Sequence, residues 1–422
     1  MKLDAKKEFR AHFGIFNIIA DVFTGRKKIR DLFNTNPMDI TFLALVIAVL
    51  TIGIIMMFSA SYVNAWYDSS PTVDHDPYYY IKNQALFAVI GIALMIGVSF
   101  VKPDVFRQAS TLIALISLLL LVYVLINPYI IPGKEEFKRW MWVPGIGSFQ
   151  PSEIAKLAIV MLLAFSMERY HKIIEEKWWV IFPYVGIVLV FCALVYAENH
   201  VSGTVLMFGI GIATIYFGGV RIHKLFYIAI IAVLVVGVIV IALNAEKILE
   251  GYASQRVSVW LKLLGGEDLS REEKQGSGWQ SLQSLYAIGS GGLFGLGFGN
   301  SKQKHMYIPE PQNDFVFAVV CEELGFIRAM LIILLFILLV GRGFVIGLRA
   351  KSRYEAMLAM GISFQVGLQA ALNIAVVTAT IPNTGISLPF FSYGGTSLVM
   401  LLLEMGVVLA ISRNGERKKK NA

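Results

Sequence analysis

The sequence predicts an all-α polytopic membrane protein, and three observations support this class. Of the 422 residues, 56% are hydrophobic and only 16% are charged, which is too apolar for an ordinary water-soluble protein. Several apolar runs reach the roughly 20 residues that a helix needs to cross a bilayer. The residues at 118–121 and 233–236 are continuously apolar, whereas the strands of a membrane β-barrel alternate apolar and polar residues. A bundle of membrane helices is therefore the expected fold.

Ten membrane-spanning helices are predicted, with both chain termini in the cytoplasm. Lys and Arg concentrate in alternate connections: the connection 63–80 has none, whereas Lys102 and Arg107 follow the second apolar run. Short loops that are rich in Lys and Arg lie on the cytoplasmic side of the membrane. Both termini are basic, so both are expected in the cytoplasm, and the number of spans must then be even. The predicted spans are 39–62, 81–100, 106–126, 151–169, 178–197, 203–219, 224–244, 325–347, 354–380 and 392–412.

Three segments are expected along the chain. A basic cytoplasmic N-terminal arm covers 1–37, a ten-span domain covers 38–412, and a basic cytoplasmic tail covers 413–422. Within the domain, a large outer loop at 245–324 separates the seventh and eighth spans. In the arm, Lys and Arg alternate with Phe and Ile at helical spacing, which is typical of an amphipathic helix on an anionic membrane surface. A partly disordered tail is the alternative for this arm.

Composition excludes two other kinds of protein. The formal net charge of +8 lies mostly in the termini and in alternate loops, where membrane topology explains it, so nucleic-acid binding is not expected. Cys192 and Cys321 are isolated in apolar surroundings, so the sequence contains no disulfide framework and no CxxC metal site.

The most polar stretch inside the apolar chain runs from Gly276 to Glu323. Its basic residues Lys302 and Lys304 suggest a bound anion, because a long outer loop does not need positive charge for its orientation. Asp314 opens an apolar run at the membrane boundary, where a carboxylate is costly unless it faces a polar cavity or a cation. It is therefore a candidate general base. A helix N-cap is the alternative role for Asp314.

The same stretch contains a glycine-rich run at 289–299. Glycine lets backbone amides approach a ligand or another helix closely, so the run predicts either an anion contact or a tight re-entrant turn. A nucleotide-binding GxGxxG loop is a weak interpretation, because no βαβ unit surrounds the glycines.

Two further polar segments are predicted on the outer side. After Arg139, the segment 150–156 places Ser152 as a candidate N-cap, with Glu153 and Lys156 three residues apart on one helical face; a structural ion pair is the alternative. The segment 381–397 combines prolines and glycines with the hydroxyls of Ser392, Tyr393 and Thr396. Such a segment predicts a non-helical wall at membrane depth, which is tolerated only where it lines a cavity.

The motifs in these segments resemble those of the SEDS family, to which FtsW and RodA belong, over about residues 38–412. The motifs that carry the resemblance are Arg139-Trp140, Phe149–Lys156, Gln283–Gly297, Pro309-Glu310, Asp314–Ala318, Glu322–Gly325 and Leu388–Gly395. The resemblance implies a peptidoglycan glycosyltransferase in the bacterial cytoplasmic membrane that polymerises lipid II at the outer face, for cell division or cell shape. It also implies a class B penicillin-binding protein as partner, together with other division or elongation proteins.

The resemblance places the essential acid of the family on Asp314 and a substrate-binding cation on Arg139. The Glu and Lys of the next helix match Glu153 and Lys156. Further candidates for substrate binding in these segments are Lys302, Lys304, Glu310, Ser392 and Tyr393. No cofactor is assigned; a divalent ion, Mg²⁺ or Mn²⁺, on the pyrophosphate is left open, because the sequence has no dedicated metal cage.

Three features depart from the family pattern. The turn Glu198–Thr204 replaces an acidic-Pro-Asp-Leu-Gly-Thr type sequence, and Arg328 stands where a small residue is usual. Arg328 either pairs with Glu322 or Glu323 or disturbs helix packing. The long basic arm is also atypical and is a candidate docking segment for a cytoplasmic division partner.

Two other functions compete with the enzyme: a lipid II flippase and a non-catalytic scaffold of the division complex. A flippase should carry polar groups through its spans toward both faces, whereas the unusual polar residues here gather on the outer side. The enzyme is therefore favoured. The segment Pro389–Gly395 and the extended basic N-terminus slightly favour the FtsW-like, division members, and elongation and sporulation members are the alternatives.

Overall fold

The computed structural model describes residues 29–70, 72–129, 138–144, 147–176, 178–220, 252–265 and 278–415, with isolated positions at 15, 269–270, 273 and 276. The described residues form eleven α-helices and one two-stranded antiparallel sheet. The helices are α1 (Ile40–Tyr67), α2 (Tyr79–Ser99), α3 (Pro103–Ile126), α4 (Pro151–Glu176), α5 (Phe182–Ala197), α6 (Val201–Phe217), α7 (Tyr252–Gly265), α8 (Trp279–Gly291), α9 (Val316–Leu348), α10 (Arg353–Val377) and α11 (Gly395–Asn414). The strands are β1 (Met141–Val143) and β2 (Gly147–Phe149), with Trp142 opposite Ser148.

Seven helices in the described part of the chain are long and apolar enough to cross a membrane. They are α1, α2, α3, α5 with the residues from Trp179 onward, α9, α10 and α11. Two other helices, α4 and α6, coincide with predicted spans, but α4 carries several charged residues and α6 has only 17 residues. The chain is thus a polytopic helical membrane protein, as predicted. The predicted span 224–244 lies outside the described residues, as do most of the arm 1–37 and residues 416–422 of the tail.

The start of α1 and the end of α9 meet at one end of the bundle. At this end, the Asp39 carboxylate caps α1 by accepting a hydrogen bond from Phe42 N (2.9 Å) and pairs with Arg342 near the end of α9 (2.7 Å). The Oγ of Ser412 on α11 accepts a hydrogen bond from Asp39 N (3.0 Å) at the same end. The polar segments at 139–156 and 381–394, together with Asp314, all lie at the opposite end.

Helix α9 is interrupted at Gly325, whose backbone angles are φ 77° and ψ 176°. The turn 292–297 packs against this break so closely that a Cβ on Gly325 would lie 2.2 Å from Gly295 N. Four hydrogen bonds replace those that the helix loses: Leu296 N to Glu322 O, Gly297 N to Glu323 O, Phe326 N to Gly292 O and Ile327 N to Leu293 O. Of the two predictions for the glycine-rich run, the structure therefore shows a tight turn against a helix.

The predicted loop 245–324 contains more regular structure than its polarity suggests. It holds α7 and α8, and α9 begins at Val316, nine residues before the predicted span at 325–347. The sequence placed Glu322 and Glu323 outside the membrane helix, but both are fully buried in it and hydrogen-bonded. Helices α7 and α8 also brace the end of α10, because Trp260 Nε1 donates to Ala379 O (2.9 Å) and Ser284 Oγ to Val377 O (2.6 Å).

Candidate active site

A cavity of about 710 Å³ lies at the end of the bundle where α4 and α9 begin. This volume is within the range of about 300–1,000 Å³ that is usual for ligand sites. The lining comes from the start of α2, the β1–β2 hairpin, the first turn of α4, the α5–α6 loop, the segment before α9 and the segment between α10 and α11. Six of the nine predicted site residues line it: Arg139, Glu153, Lys156, Glu310, Asp314 and Tyr393.

Asp314 is held in the cavity wall by its backbone. The side-chain amide of Asn373 on α10 donates to Asp314 O (2.7 Å) and to Ile386 O (2.6 Å), which joins the two walls. Gly385 has a positive φ of 70°, and a Cβ there would lie 3.1 Å from Asp314 Oδ2. The N-cap residue of α9 is Phe315 and the cap has no side-chain hydrogen bond, so Asp314 does not take the alternative N-cap role.

The segment between α10 and α11 is a non-helical wall, as predicted, and it extends over 378–394. Ser392 lies at its centre: its Oγ donates to Asn313 O (2.6 Å) and accepts from Leu388 N (2.7 Å). Tyr393 N donates to Gln312 O (2.8 Å). Ser392 therefore joins the wall to the segment before α9 and lines a second cavity of only about 20 Å³, whereas Tyr393 lines the large cavity.

Arg139 places its guanidinium near two carboxyl groups, those of Asp314 and Glu198. It precedes β1, and its guanidinium lies 4.4 Å from the centre of the Trp140 ring. Burial lowers the pKa of Arg139, while its interactions with Asp314 and Glu198 oppose this shift. An arginine keeps its charge despite such a shift, so Arg139 is a permanent cation near both carboxyl groups.

Glu153 and Lys156 form, on the first turns of α4, the ion pair that the sequence offered as the alternative to substrate binding, and both also line the cavity. Lys156 Nζ lies 3.0 Å from Glu153 Oε2 and donates to Gln369 Oε1 (3.3 Å). The prediction that Ser152 is the N-cap is wrong, because α4 begins at Pro151. A proline suits the first helical position, since its φ is fixed near the helical value and it has no N–H that needs a partner.

Lys302 and Lys304 do not line the cavity in the structure. Lys304 is buried, and its Nζ lies 2.8 Å from Glu323 Oε1 and 3.1 Å from Ser59 Oγ. Lys302 contributes its backbone N–H to Glu322 Oε1 (3.0 Å). We call the cluster of Ser59, Lys304, Glu322 and Glu323 the buried anchor. It ties the loop before α9 to both α1 and α9.

Arg328 takes neither of the roles considered from the sequence. Its Nη1 donates to Phe294 O (2.8 Å) and to Leu324 O (3.3 Å), so it holds the glycine-rich turn against α9. The cation that pairs with Glu323 is Lys304. The basic outer loop shows the same pattern elsewhere: Arg256 donates to Asn383 O (2.9 Å) and Lys262 pairs with a glutamate (2.7 Å).

Two residues that the sequence left unassigned lie in the α5–α6 loop. Glu198 is fully buried, and neither carboxyl oxygen has a hydrogen-bond partner in the described part of the chain. Burial raises the pKa of Glu198 to about 8, against the opposing effect of Arg139. His200 lines the cavity, and burial together with the charges of Arg139 and Lys156 lowers its pKa to about 3. The only sequence signal was that this turn departs from the family pattern.

A divalent ion bound by the protein alone would need a cluster of ligand side chains. Within the described ranges, no group of three or more His, Cys, Asp or Glu side chains is placed to hold a metal.

The fold and the cavity define a class: a multi-pass membrane protein with a charged cavity at one end of its helix bundle. The sequence profile of FtsW, RodA and SpoVE, described as cell cycle protein, matches residues 39–417. The chain belongs to this family.

Individual relatives agree with this assignment. Stage V sporulation protein E of Bacillus subtilis (strain 168) is 38% identical over 379 residues, which cover 90% of this chain and 98% of the relative. The probable peptidoglycan glycosyltransferase FtsW of Geobacter sp. (strain M18) is 32% identical over 374 residues, which cover 89% of this chain and 96% of the relative.

Two solved structures share the fold. A chain from a peptidoglycan synthase complex that coordinates polymerization and crosslinking superposes with a TM-score of 0.69 at 24% identity, covering 89% of this chain and 98% of that one. The rod shape determining protein RodA of Thermus thermophilus superposes with a TM-score of 0.61 at 23% identity, covering 90% of this chain and 98% of that one.

Proposed function

We propose that the chain is a peptidoglycan glycosyltransferase that polymerises lipid II into glycan strands. The family and the relatives named as probable peptidoglycan glycosyltransferases support the enzyme class. The observation that carries the proposal is the position of Asp314, a carboxylate in the wall of a 710 Å³ cavity that also contains Arg139 and Lys156. The cavity thus combines a candidate base with cations suited to a diphosphate.

In the proposed reaction, the acceptor sugar's 4-hydroxyl attacks the anomeric carbon of the donor. Asp314 accepts the hydroxyl proton as the new C–O bond forms, and the bond from the anomeric carbon to the phosphate oxygen breaks with its electron pair on the lipid diphosphate. Negative charge grows on that leaving group, so the cations Arg139 and Lys156 stabilise the transition state more than the ground state.

We propose that the cavity opens at the outer face of the cytoplasmic membrane, in a ten-span chain with both termini in the cytoplasm. The opposite end of the bundle carries most of the cations that mark a cytoplasmic face. Those in the described part of the chain include Lys102, Arg107, Arg342, Arg349, Lys351, Arg353 and Arg413. This orientation presents the site to lipid II in the outer leaflet, with the predicted loop 245–324 on the same side.

We propose a class B penicillin-binding protein as the partner that crosslinks the product. The structural neighbour from a complex that coordinates polymerization and crosslinking supports this pairing. The similarity to a stage V sporulation protein and to FtsW proteins supports a role in building septal or spore wall over other roles.

Asp314→Asn tests the reaction. We expect a loss of polymerisation by a factor of about 10² to 10⁴, the usual contribution of a general base, with an unchanged melting temperature. The readout is the glycan polymer formed from lipid II by the purified protein, with and without its partner. Asp104→Asn, at an exposed carboxylate in the first turn of α3 on the other end of the bundle, is the matched control and should keep wild-type activity.

Two outcomes would contradict the proposal. Normal polymerisation by a folded Asp314→Asn protein would remove the base from the mechanism. Translocation of fluorescent lipid II without any polymer would favour the flippase. A folded wild-type protein that neither polymerises nor translocates lipid II, alone or with its partner, would favour the scaffold.

A further inference from the structure

His200 lies in the cavity but has no role in the proposed reaction. It precedes α6, and its ring lies against Gly203, where a Cβ would come within 2.4 Å of His200 Nδ1. Only a glycine at 203 leaves room for the ring in this position. The imidazole is therefore fitted between the α5–α6 loop and the cavity and is placed there by packing on its own helix.

A hydrogen bond fixes which ring nitrogen carries the proton. Gln150 Nε2 lies 3.2 Å from His200 Nδ1 and also donates to Ser152 Oγ (2.9 Å). In this orientation of the Gln150 side chain the amide nitrogen donates, so Nδ1 accepts and the proton of the neutral ring is assigned to Nε2. Nε2 makes no hydrogen bond to another described residue. The free N–H is thus a donor available to a molecule in the cavity.

The electrostatic surroundings indicate what this donor meets. Besides burial, the charges of the cations Arg139 and Lys156 lower the pKa of His200, so both cations lie near enough to the imidazole to act on it. All three residues line the same cavity. A neutral donor beside two cations suits an anion, because it adds a directed hydrogen bond where the cations add charge.

We propose that the Nε2–H of His200 donates a hydrogen bond to a diphosphate oxygen of the lipid-linked substrate, with Gln150 as the positioning residue that fixes its tautomer. This inference rests on the proposed function, since it assigns one more contact to the same site. The alternative is that His200 only fills space beside Gly203.

The test compares two substitutions at this position. His200→Met keeps the bulk of the ring and removes the donor, so the KM for lipid II and the inhibition constant of undecaprenyl diphosphate should both rise about tenfold or more. His200→Gln retains an N–H donor and should stay within about threefold of wild type in both constants. Inhibition by undecaprenyl monophosphate should change less than inhibition by the diphosphate. His171→Met, near the other end of α4, controls for loss of a histidine.

The outcomes separate the contact from packing and from the function itself. Equal losses in His200→Met and His200→Gln, or unchanged constants in both, would overturn the contact. If His200→Met does not fold, His200→Ala gives the same comparison with His200→Gln. If the wild-type protein makes no polymer, the proposed function fails, whereas binding of undecaprenyl diphosphate to the two variants still tests the contact. Normal polymerisation with an unchanged KM and an unchanged inhibition constant would contradict the proposed hydrogen bond from His200 but not the proposed function.

Discussion

Two lysines in this chain each pair with a glutamate but lie in different positions in the structure. Lys156 pairs with Glu153 at 3.0 Å, and Lys304 pairs with Glu323 at 2.8 Å. The first pair lines the 710 Å³ cavity, with side chains 9% and 15% exposed, whereas the second is enclosed, with side chains 4% and 0% exposed. An ion pair in an apolar chain therefore does not by itself mark a substrate site.

The two ion pairs differ in how many hydrogen bonds the rest of the protein supplies to them. Each carboxylate of the buried anchor accepts several hydrogen bonds: Glu323 from Ser59, and Glu322 from Ser290 and the backbone of 302–303. Ser301 also donates a short hydrogen bond to Glu322. The cavity pair has Gln369 as a further partner and otherwise faces open space. Hydrogen bonds used within the protein stabilise the fold, whereas those left toward a cavity are available to a ligand.

The largest expected effect follows from removing each lysine in turn. Lys304→Met leaves Glu323 as a buried charge without its cation and should cost about 3–5 kcal/mol of stability. Lys156→Met leaves Glu153 beside a cavity that water can enter, so we expect little change in stability but a loss of polymerisation of about tenfold or more. Melting temperature and lipid II polymerisation, measured on both variants, give four values for the comparison.

The contrast between Lys304 and Lys156 would be contradicted if the two variants changed in melting temperature and polymerisation in the same way. A Lys304→Met protein that melts as wild type but makes no polymer would move Lys304 into the substrate site. Glu323→Gln with Lys304→Met checks the assignment, because a neutral amide beside methionine removes the unpaired charge and should restore part of the lost stability.

The next largest effect is expected at Gly325, which packs against Gly295 beside the buried anchor. Gly325→Ala places a Cβ 2.2 Å from Gly295 N at a backbone conformation with φ 77°, so we expect a loss of about 3 kcal/mol or more. Gly341 on the same helix has open space where a Cβ would lie, with no atom within 4 Å, so Gly341→Ala is the matched control. Equal melting temperatures for the two variants would show that the four hydrogen bonds at the break do not hold the turn.

The sequence predicted the helical membrane class and the cavity residues for the same physical reason. Apolar runs must be helices in a bilayer, and charged residues at their ends are costly unless they face a cavity. Asp314, Glu153 and Lys156 satisfied this rule, Arg139 came from the family resemblance, and all four line the cavity.

The same rule could not separate the anchor from the site. Lys304 satisfies it as well as Lys156 does, but its partners Ser59 and Glu323 lie 245 and 19 residues away in the chain. The break in α9 depends on backbone hydrogen bonds from the glycine-rich turn, which no side-chain pattern encodes. Neutral residues such as Gln150 and Asn373 gave no signal, because an amide in an apolar chain is as often structural as functional.

The smallest expected effect concerns pH and the loop 198–200. The pKa of Glu198 is about 8 in the folded chain, above the ordinary value of 4.5, so the native state keeps a proton that the unfolded state has lost between these values. Stability from this group is therefore fully present below about pH 4.5, falls as pH rises toward 8, and changes no further above it. Glu198→Gln imitates the protonated acid and should stabilise the protein by on the order of 2 kcal/mol at alkaline pH, with little effect at acidic pH.

The pKa shift of His200, in the same loop, changes stability with pH in the opposite direction. The two residues can therefore be told apart in one series of melting temperatures. Its pKa of about 3 lies below the ordinary 6.5, so it destabilises the native state as pH falls through this range. The difference in melting temperature between Glu198→Gln and wild type should therefore grow only on the alkaline side, while the difference for His200→Gln should grow only on the acidic side. A Glu198→Gln curve parallel to wild type at every pH would mean that Arg139 already holds Glu198 as a carboxylate, and the cavity would then contain one more negative charge beside its cations.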